Sequence, residues 1–319
     1  MLKRLLKTLP LFKNVYQAKK LAEQLTVAQY QLTLAVNHIA LLNHKFLADQ
    51  RVADGHGVSG DVLPKASCQQ LLTVSLTTYG KRLSTVHLTI LSLLRQTLKP
   101  QRLILWLAED EFTLEQLPEC LLELQQFGLE IAFCPDIRSY KKLIPALKRY
   151  PDDIIITFDD DVIYPQDQIE RLYQAHLAEP AAVICHRAHR ISKKANGDIK
   201  PYIQWPFDIS SAKSGFDIYP VGIGGVLYPP GSLNPEVMNE PAFMRLCPYA
   251  DDMWFKVMAL KNLTPAKVVD NPTPYRDYLQ TPGSQAVSLW ESNREKNDWQ
   301  LQALLSAYPE LIGQVQAFS

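Results

Sequence analysis

The 319-residue sequence predicts an α/β fold, a mainly parallel sheet flanked by helices, with a helical extension before it. From Leu71 onward, short β-branched or apolar runs alternate with helical patterns, as in a parallel sheet with crossover helices. The run IIITF at 154–158 is almost wholly apolar, which is typical of a strand buried on both faces. Residues 1–50 lack glycine and are rich in residues that favour helix, which predicts the extension.

The predicted elements alternate regularly along the second part of the chain. The predicted strands are 71–75, 102–107, 129–134, 153–158 and 181–185. The predicted helices are 85–96, 115–127, 140–149 and 165–177. The alternation ends near residue 190, where glycine and proline become frequent. Because open α/β sheets bind ligands at the carboxyl ends of their strands, functional residues are expected directly after each strand.

Composition excludes several classes of protein. The 33 lysines and arginines equal the 33 aspartates and glutamates, so the chain lacks the net positive charge typical of nucleic-acid binding. The five cysteines are widely spaced without a C-x-x-C pair, which indicates reduced thiols in a cytoplasmic protein. No stretch reaches the roughly 18–20 uninterrupted apolar residues of a membrane span.

The N-terminal extension, residues 1–50, has the pattern of an oligomerisation or membrane-docking segment. Apolar residues recur there at alternating steps of three and four, as in a coiled coil that joins copies of the chain through residues 18–46. These residues are Ala18, Leu21, Leu25, Ala28, Leu32, Ala35, Ile39, Leu42 and Phe46. Residues 1–20 hold six lysines and arginines and no acid, which favours peripheral contact with the anionic inner face of a membrane. A single amphipathic helix packed on the next domain is the alternative, and residues 51–70, with three glycines, are the predicted linker.

Three adjacent carboxylates, Asp159, Asp160 and Asp161, come directly after the predicted buried strand. They repel one another unless a cation neutralises them. Alternate residues of an extended segment point the same way, so Asp159 and Asp161 can address one ion while Asp160 faces elsewhere. A hard divalent ion bound by one or two carboxylates completes its shell with water and phosphates. A solvated acidic turn before Pro165 is the alternative interpretation.

Four segments carry a resemblance to a known superfamily. The longest is SYKKLIPALKRYPDDIIITFDDDVIYP at 139–165. The others are SLTTYGKR at 75–82, GIGGVLY at 222–228 and ADDMWF at 250–255. Together they resemble the GT-A nucleotide-sugar glycosyltransferases, in particular bacterial family-2-like and exostosin-like members. The resemblance covers roughly residues 71–300 and implies the GT-A fold, a Rossmann-like and mainly parallel sheet between helices.

The resemblance implies a role for the acidic triplet and for the loop after the first strand. Its D-x-D pattern falls on Asp159 and Asp161, which would bind Mn²⁺ or Mg²⁺ and, through the ion, the diphosphate of a nucleotide-sugar, with a UDP-sugar favoured. Asp160 would lie near the ribose. The loop residues that would hold the nucleoside are Thr77, Thr78, Tyr79 and Arg82. From the residues alone, the two threonines could equally satisfy backbone groups of a turn.

Further donor contacts are implied at the ends of the next strands. An acid at the end of the second strand, Glu109 or Asp110, would recognise the base. Asp136 ends the third strand in a similar way, and Lys141 or Lys142 falls where a basic side chain faces the donor. The alternatives are a turn or cap residue for Asp136 and a solvent-facing position for either lysine.

A second acidic pair, Asp251 and Asp252, precedes an apolar stripe of helical spacing. Two carboxylates at the start of a helix are also favourable partners of its dipole, and capping is the plain interpretation. The resemblance implies that this pair is the catalytic acidic motif of inverting GT-A enzymes, with Asp252 as the base. Aspartate stands at Asp251 where that motif usually has glutamate.

The expected function is therefore metal-dependent, inverting transfer of a sugar to a glycan or lipid-linked acceptor in cell-surface polysaccharide synthesis. In this interpretation residues 71–190 bind the nucleotide-sugar and residues 191–319 bind the acceptor. One rival is a nucleotidyltransferase, which the absence of a G-x-x-x-x-G-K-[ST] phosphate loop disfavours. The other rival is a non-catalytic sugar-binding scaffold protein.

Overall fold

The computed structural model describes Leu21 and residues 70–270, 277–281 and 289–317. The predicted coiled-coil seam, the basic N-terminal segment and the linker lie outside the described residues, apart from Leu21. All described elements from residue 70 onward belong to one unit of the chain.

Eleven strands are present in the described residues. They are β1 (Leu72–Thr77), β2 (Arg102–Ala108), β3 (Leu129–Cys134), β4 (Ile154–Thr157), β5 (Val162–Ile163), β6 (Val183–Cys185), β7 (Ala188–Arg190), β8 (Ile218–Pro220), β9 (Val226–Tyr228), β10 (Ala266–Val268) and β11 (Leu279–Gln280). Seven of them form the central sheet, in the order β10-β6-β9-β4-β1-β2-β3. The pairs β11-β5 and β7-β8 form two small antiparallel sheets beside it.

Eight α-helices lie in the same described ranges. They are α1 (Val86–Leu94), α2 (Glu119–Leu122), α3 (Ile144–Arg149), α4 (Gln168–Ala178), α5 (Glu240–Leu246), α6 (Asp251–Lys261), α7 (Leu289–Ala307) and α8 (Glu310–Ala317). Short 3-10 helices at Gly80–Ser84 and Arg138–Lys142 follow β1 and β3. No helix of the described part has the length and apolar character needed to cross a bilayer.

The prediction of a mainly parallel sheet is confirmed. The pairs β1-β2, β2-β3, β1-β4 and β6-β10 are all parallel, and every residue of β4 is buried, as its apolar run predicted. The sequence did not predict β9, which lies antiparallel between β4 and β6. A glycine turn makes this insertion possible: Gly225 has φ +96°, and a Cβ there would lie 2.5 Å from a ring carbon of Phe158.

The topology gathers several loops at one edge of the sheet. The segments after β1, β3 and β4 all leave from carboxyl ends of parallel strands. Because β9 runs antiparallel, its amino end lies at this same edge and brings the turn at residues 222–225 with it. Asp252 at the start of α6 meets that turn, since the backbone N–H of Gly222 donates to its Oδ2 at 2.9 Å. This edge therefore combines residues that are up to about 170 positions apart in sequence.

A small apolar cavity lies beneath the C-terminal helices and contains the side chain of one lysine. Trp205 and Tyr219 line it together with leucines of α7 and α8, and both aromatic rings are buried. Lys256 of α6 is 4% exposed, and among the described residues its Nζ has no hydrogen-bond partner. Burial lowers the pKa of Lys256 to about 7, against the opposing charge of Asp217. The core therefore tolerates a lysine that is largely neutral above pH 7.

We expect Lys256→Met to stabilise the protein, because methionine fills similar space without an amine to desolvate. Between pH 7 and 10 the unfolded chain binds more protons at this position than the folded chain, so wild-type stability rises with pH there. The gain in unfolding free energy should be about 1–3 kcal/mol near pH 6 and should shrink toward pH 10. Urea denaturation at several pH values measures it. Lys261→Met, on the same helix but paired with Glu236, is the control, and a gain independent of pH would contradict the interpretation.

Candidate functional site

Arg82 joins the loop after β1 to the acidic triplet after β4. We call Thr78, Arg82, Asp160 and Asp161 the first cluster. Nη1 of Arg82 lies 2.7 Å from Oδ1 of Asp160, and its Nη2 lies 3.0 Å from Oδ2 of Asp161. Thr78 donates its hydroxyl to the other oxygen of Asp160 at 2.5 Å. Burial lowers the pKa of Arg82, but the charges of the two aspartates outweigh it and raise the pKa overall. Arg82 therefore stays charged and holds the two loops together.

Asp160 differs from its two neighbours in its surroundings. The residue is 4% exposed, and its backbone carbonyl accepts a hydrogen bond from Thr89 of α1 at 2.9 Å. Burial raises the pKa of this carboxyl, although Arg82 and Thr78 oppose the shift. The side chains of Asp159 and Asp161 are more exposed, at 31% and 15%. Asp160 is thus turned into the protein, whereas Asp159 is the most exposed of the three and Asp161 shares Arg82 with Asp160.

Lys142 lies at the centre of a second cluster, which it forms with Asp159, Asp251 and Asp252. Its Nζ is 3.2 Å from Oδ1 of Asp159, 2.9 Å from Oδ2 of Asp251 and 3.7 Å from Oδ1 of Asp252. The lysine is 6% exposed, so burial lowers its pKa, but the three carboxylates outweigh burial and raise the pKa well above its ordinary value. A buried ammonium group thus joins the end of β4 to the start of α6.

Asp252 is the member of this cluster that can accept a proton. Its side chain is 21% exposed, and its Oδ2 accepts the Gly222 N–H. Burial and the charges of Asp251 and Asp159 raise the pKa of Asp252 to about 7, although Lys142 and the Gly222 N–H oppose the shift. Asp251 is 7% exposed and accepts a hydrogen bond from Ser139 at 2.9 Å. Asp251 is therefore held inside the protein, whereas Asp252 faces the open edge.

Gly222 brings the backbone into contact with the cluster. A Cβ at this position would lie 2.8 Å from Nζ of Lys142, 3.1 Å from Oδ1 of Asp252 and 3.3 Å from Oδ1 of Asp159. Any side chain would therefore enter the space between the charged groups. The glycine leaves this space open at the point where two acidic motifs meet.

The donor set of Asp159 and Asp161 suits a hard divalent cation. Burial and then the charge of Asp159 raise the pKa of Asp161 to about 6, so further positive charge nearby would stabilise the ionised pair. Thr281 donates its N–H to the carbonyl of Asp161 at 2.8 Å and so fixes the backbone of this residue. Among the described residues, no third histidine, cysteine or acid completes a ligand group. The remaining ligands of an ion would have to come from water and a bound phosphate.

Other predicted site residues have partners outside the two clusters. Thr77 donates to the carbonyl of Trp106 at 2.9 Å, which is the backbone role that the sequence left open. Asp136 pairs with Lys141 and accepts the N–H of Arg138 at 2.9 Å. Glu109 is exposed, and in the described ranges no side-chain hydrogen bond or ion pair joins it to either cluster. Tyr79 lies beside the first cluster, its ring centroid 5.3 Å from Cζ of Arg82.

Sequence reasoning missed two residues of this edge and did not place a third. Glu111 accepts the Gly80 N–H at 2.6 Å and so supports the loop after β1, although the predicted acids of this strand end were Glu109 and Asp110. Ser139 positions Asp251, and a serine before two lysines gives no signal of such a role. The contact of Gly222 with the cluster depends on β9, whose antiparallel insertion the sequence pattern did not predict.

We expect Lys142→Met to lower the free energy of unfolding by about 3–5 kcal/mol near pH 7.5, because three carboxylates lose their shared cation. In this variant the three carboxylates repel one another without a compensating cation, so the folded state favours the uptake of protons. The loss should therefore shrink as the pH falls toward 5. Guanidinium denaturation at both pH values measures it, with Lys267→Met as control, since Lys267 forms a single ion pair with Glu179. Equal losses for the two variants would contradict a central role for Lys142.

Comparison with known proteins finds a family that this edge resembles. Residues 73–225, just under half of the chain, match the model of glycosyl transferase family 2. No curated protein matches the chain. Similar solved structures include S. aureus TarS 1-349 in complex with UDP, at 12% identity and a TM-score of 0.42, covering 66% of this chain and 59% of that one. S. aureus TarS 1-349 is 14% identical with a TM-score of 0.42, covering 77% and 83% of the two chains.

A CMP:2-keto-3-deoxy-manno-octonic acid synthetase complexed with CTP is also similar, at 11% identity and a TM-score of 0.37, covering 64% of this chain and 90% of that one. The family match begins in β1 and ends in the turn before β9, so it includes Arg82, Lys142, the acidic triplet and Gly222. The parallel strands, the acidic edge and this match lead to one conclusion: residues 73–225 are similar to glycosyl transferase family 2, and the described sheet has the arrangement of a GT-A fold.

Proposed function

We propose that the protein is a metal-dependent, inverting glycosyltransferase that moves a sugar from a nucleotide diphosphate, with UDP favoured, to a hydroxyl of an acceptor. The observation that carries the proposal is the convergence of Asp159, Asp252 and the Gly222 backbone around one open space at the carboxyl edge of a family 2 sheet. An ion-binding pair and a candidate base are thereby held within reach of one substrate.

Asp252 is the proposed general base. An acceptor hydroxyl must lose its proton as it attacks the anomeric carbon, and a carboxylate with a pKa near 7 is well matched to that task. The N–H of Gly222 fixes one carboxylate oxygen at 2.9 Å and leaves the side chain partly exposed at the edge. Asp251, which is buried and bonded to Ser139, positions Lys142 from the other side.

Asp159 and Asp161 are the proposed ligands of Mn²⁺ or Mg²⁺. When bound, the ion would neutralise the charge that develops on the leaving diphosphate. Lys142 lies 3.2 Å from Asp159 and provides a fixed positive charge beside the same position. Thr78, Tyr79 and Arg82 form the loop proposed to hold the nucleoside, and Arg82 already fixes this loop against the acidic triplet.

The proposed acceptor is a glycan or a lipid-linked saccharide of cell-surface polysaccharide synthesis. Residues 1–50 are proposed to associate with a second copy of the chain and to place residues 1–20 at the inner surface of the membrane. The support for this part of the proposal is the heptad spacing and the run of six cations without an acid.

Titration of UDP into the full chain, with and without Mn²⁺, tests the proposed donor site. We expect binding that depends on Mn²⁺ and is lost in Asp161→Ala, because this variant removes one of two carboxylate ligands. Asp167→Ala is the matched control, since the Asp167 side chain is 40% exposed and, in the described ranges, its one ion pair is with Arg171 of the helix that follows it. UDP binding without dependence on Mn²⁺ would contradict the metal site. Turnover of nucleoside triphosphates would favour a nucleotidyltransferase, and absence of nucleotide binding would favour a scaffold.

Asp252→Asn should leave UDP binding intact and reduce sugar transfer by about 10²–10⁴-fold, because the amide oxygen still accepts the Gly222 N–H but cannot take a proton. Asp251→Asn is the matched comparison, since it also removes one negative charge from Lys142. We expect its loss of transfer to be much smaller. A direct transfer assay on both variants decides the matter, and near-normal turnover in Asp252→Asn would remove the base assignment.

Comparison of the full chain with a chain that starts at residue 65 tests the N-terminal proposal. Sedimentation should show association only for the full chain, because only it carries the seam of residues 18–46. The full chain should also float with anionic liposomes at low salt and less at high salt. Monomers in both cases would exclude the coiled coil, and flotation that ignores salt would exclude electrostatic docking.

A further inference from the structure

A half-exposed tyrosine beside the second cluster is flanked by two cations. Cζ of Arg138 lies 4.5 Å from the ring centroid of Tyr249, and Nζ of Lys296 lies 4.1 Å from it. Tyr249 is 38% exposed, and the two cations are therefore at most about 9 Å apart. We call Arg138, Tyr249 and Lys296 the Tyr249 rim.

Neither cation of the rim is neutralised by an acid of the described residues. Within the described ranges, neither Arg138 nor Lys296 forms an ion pair within 4.0 Å, whereas Arg82, Lys141 and Lys142 all do. The guanidinium of Arg138 donates to the carbonyl of Pro248 at 3.2 Å, which fixes it without cancelling its charge. The nearby carboxylate of Asp136 is already paired with Lys141.

Hydrogen bonds hold the residues of the rim in place. Gln300 is fully buried; its Oε1 accepts the N–H of Tyr249 at 2.8 Å and its Nε2 donates to the carbonyl of Lys296 at 3.1 Å. Arg138 has φ +57°, in the left-handed region that is unfavourable for a residue with a Cβ. The carboxylate of Asp136 accepts its N–H and holds it there.

The rim lies next to the proposed base. Ser139 follows Arg138 and donates to Asp251, and Tyr249 precedes Asp251 by two residues. The segment that carries Tyr249 therefore also carries Asp252, the group proposed to contact the attacking hydroxyl. The proposed donor ligands, in contrast, lie on the loops after β1 and β4. A substrate group at the rim thus belongs to the acceptor.

We propose that the Tyr249 rim binds an anionic group, a phosphate or a carboxylate, of the acceptor. Two cations within about 9 Å of each other, with no ion pair in the part of the chain that the structure describes, can both contact one such group, and charge-assisted hydrogen bonds make this recognition strong. The tyrosine ring keeps the two cations in place through cation–π contact. This inference rests on the proposed function, because it takes the segment beside Asp252 as the acceptor side.

Titration of three sugars into the full chain, saturated with UDP and Mn²⁺, tests the inference. The probes are glucose 6-phosphate, glucuronate and methyl glucoside, which present a phosphate, a carboxylate and no charge. We expect at least one anionic sugar to bind at least 10-fold more tightly than methyl glucoside. Arg138→Gln combined with Lys296→Gln should remove this preference. Arg149→Gln is the control, because its guanidinium also lies over a tyrosine ring, Tyr150, but at the opposite edge of the sheet.

The two anionic probes separate a phosphate-bearing acceptor from a uronic acid. Equal binding of all three sugars, or a preference that survives in the double variant, would overturn the inference. The affinity for UDP with Mn²⁺ should be the same in the double variant and the wild type, which shows that the variant folds. If the wild type does not bind UDP, this result would contradict the proposed function. The three sugars are then titrated into the chain without UDP, which tests the rim separately.

Discussion

The edge of the sheet depends on one buried ammonium group. Lys142 comes from the 3-10 helix after β3, and its carboxylate partners come from the end of β4 and the start of α6. Where these elements meet, a fixed positive charge compensates the repulsion among Asp159, Asp251 and Asp252. The same charge controls the site: Lys142 opposes the rise in the pKa of Asp252 that burial causes, and this pKa of about 7 is within reach of proton transfer.

The acidic triplet divides its work between structure and ligand binding. The side chain of Asp160 points into the protein and is bonded to Thr78 and Arg82, whereas Asp159 and Asp161 remain at the edge. Three adjacent carboxylates would be costly in a solvated turn with no purpose. Here the middle one fastens the loop after β1 to β4, so that its neighbours are presented on a rigid backbone rather than on a mobile one.

Much of the fold could be predicted from the sequence because its signals are local. The IIITF run is almost wholly apolar, and its first four residues form β4. The triplet after it could be placed at the ligand edge from the topology of parallel sheets. The pairing of Lys142 with Asp251 could not, since it joins residues more than 100 positions apart. The burial of Lys256 could not be predicted either, because a lysine in a helix is normally exposed. Its burial depends on packing against α7 and α8.

The antiparallel strand β9 also sets the order in which the protein can fold. β6 and β10 reach β4 only through β9, so their half of the sheet cannot attach before Tyr228 has left the ribosome. The strands β1 to β4 can pair earlier, because all their residues precede position 158. During synthesis, β4 therefore waits with one unpaired edge of buried, β-branched residues. Long-range pairing of this kind slows folding and exposes the nascent chain to aggregation. The strand β9 therefore limits how early the sheet can be completed, in addition to carrying the Gly222 turn to the site.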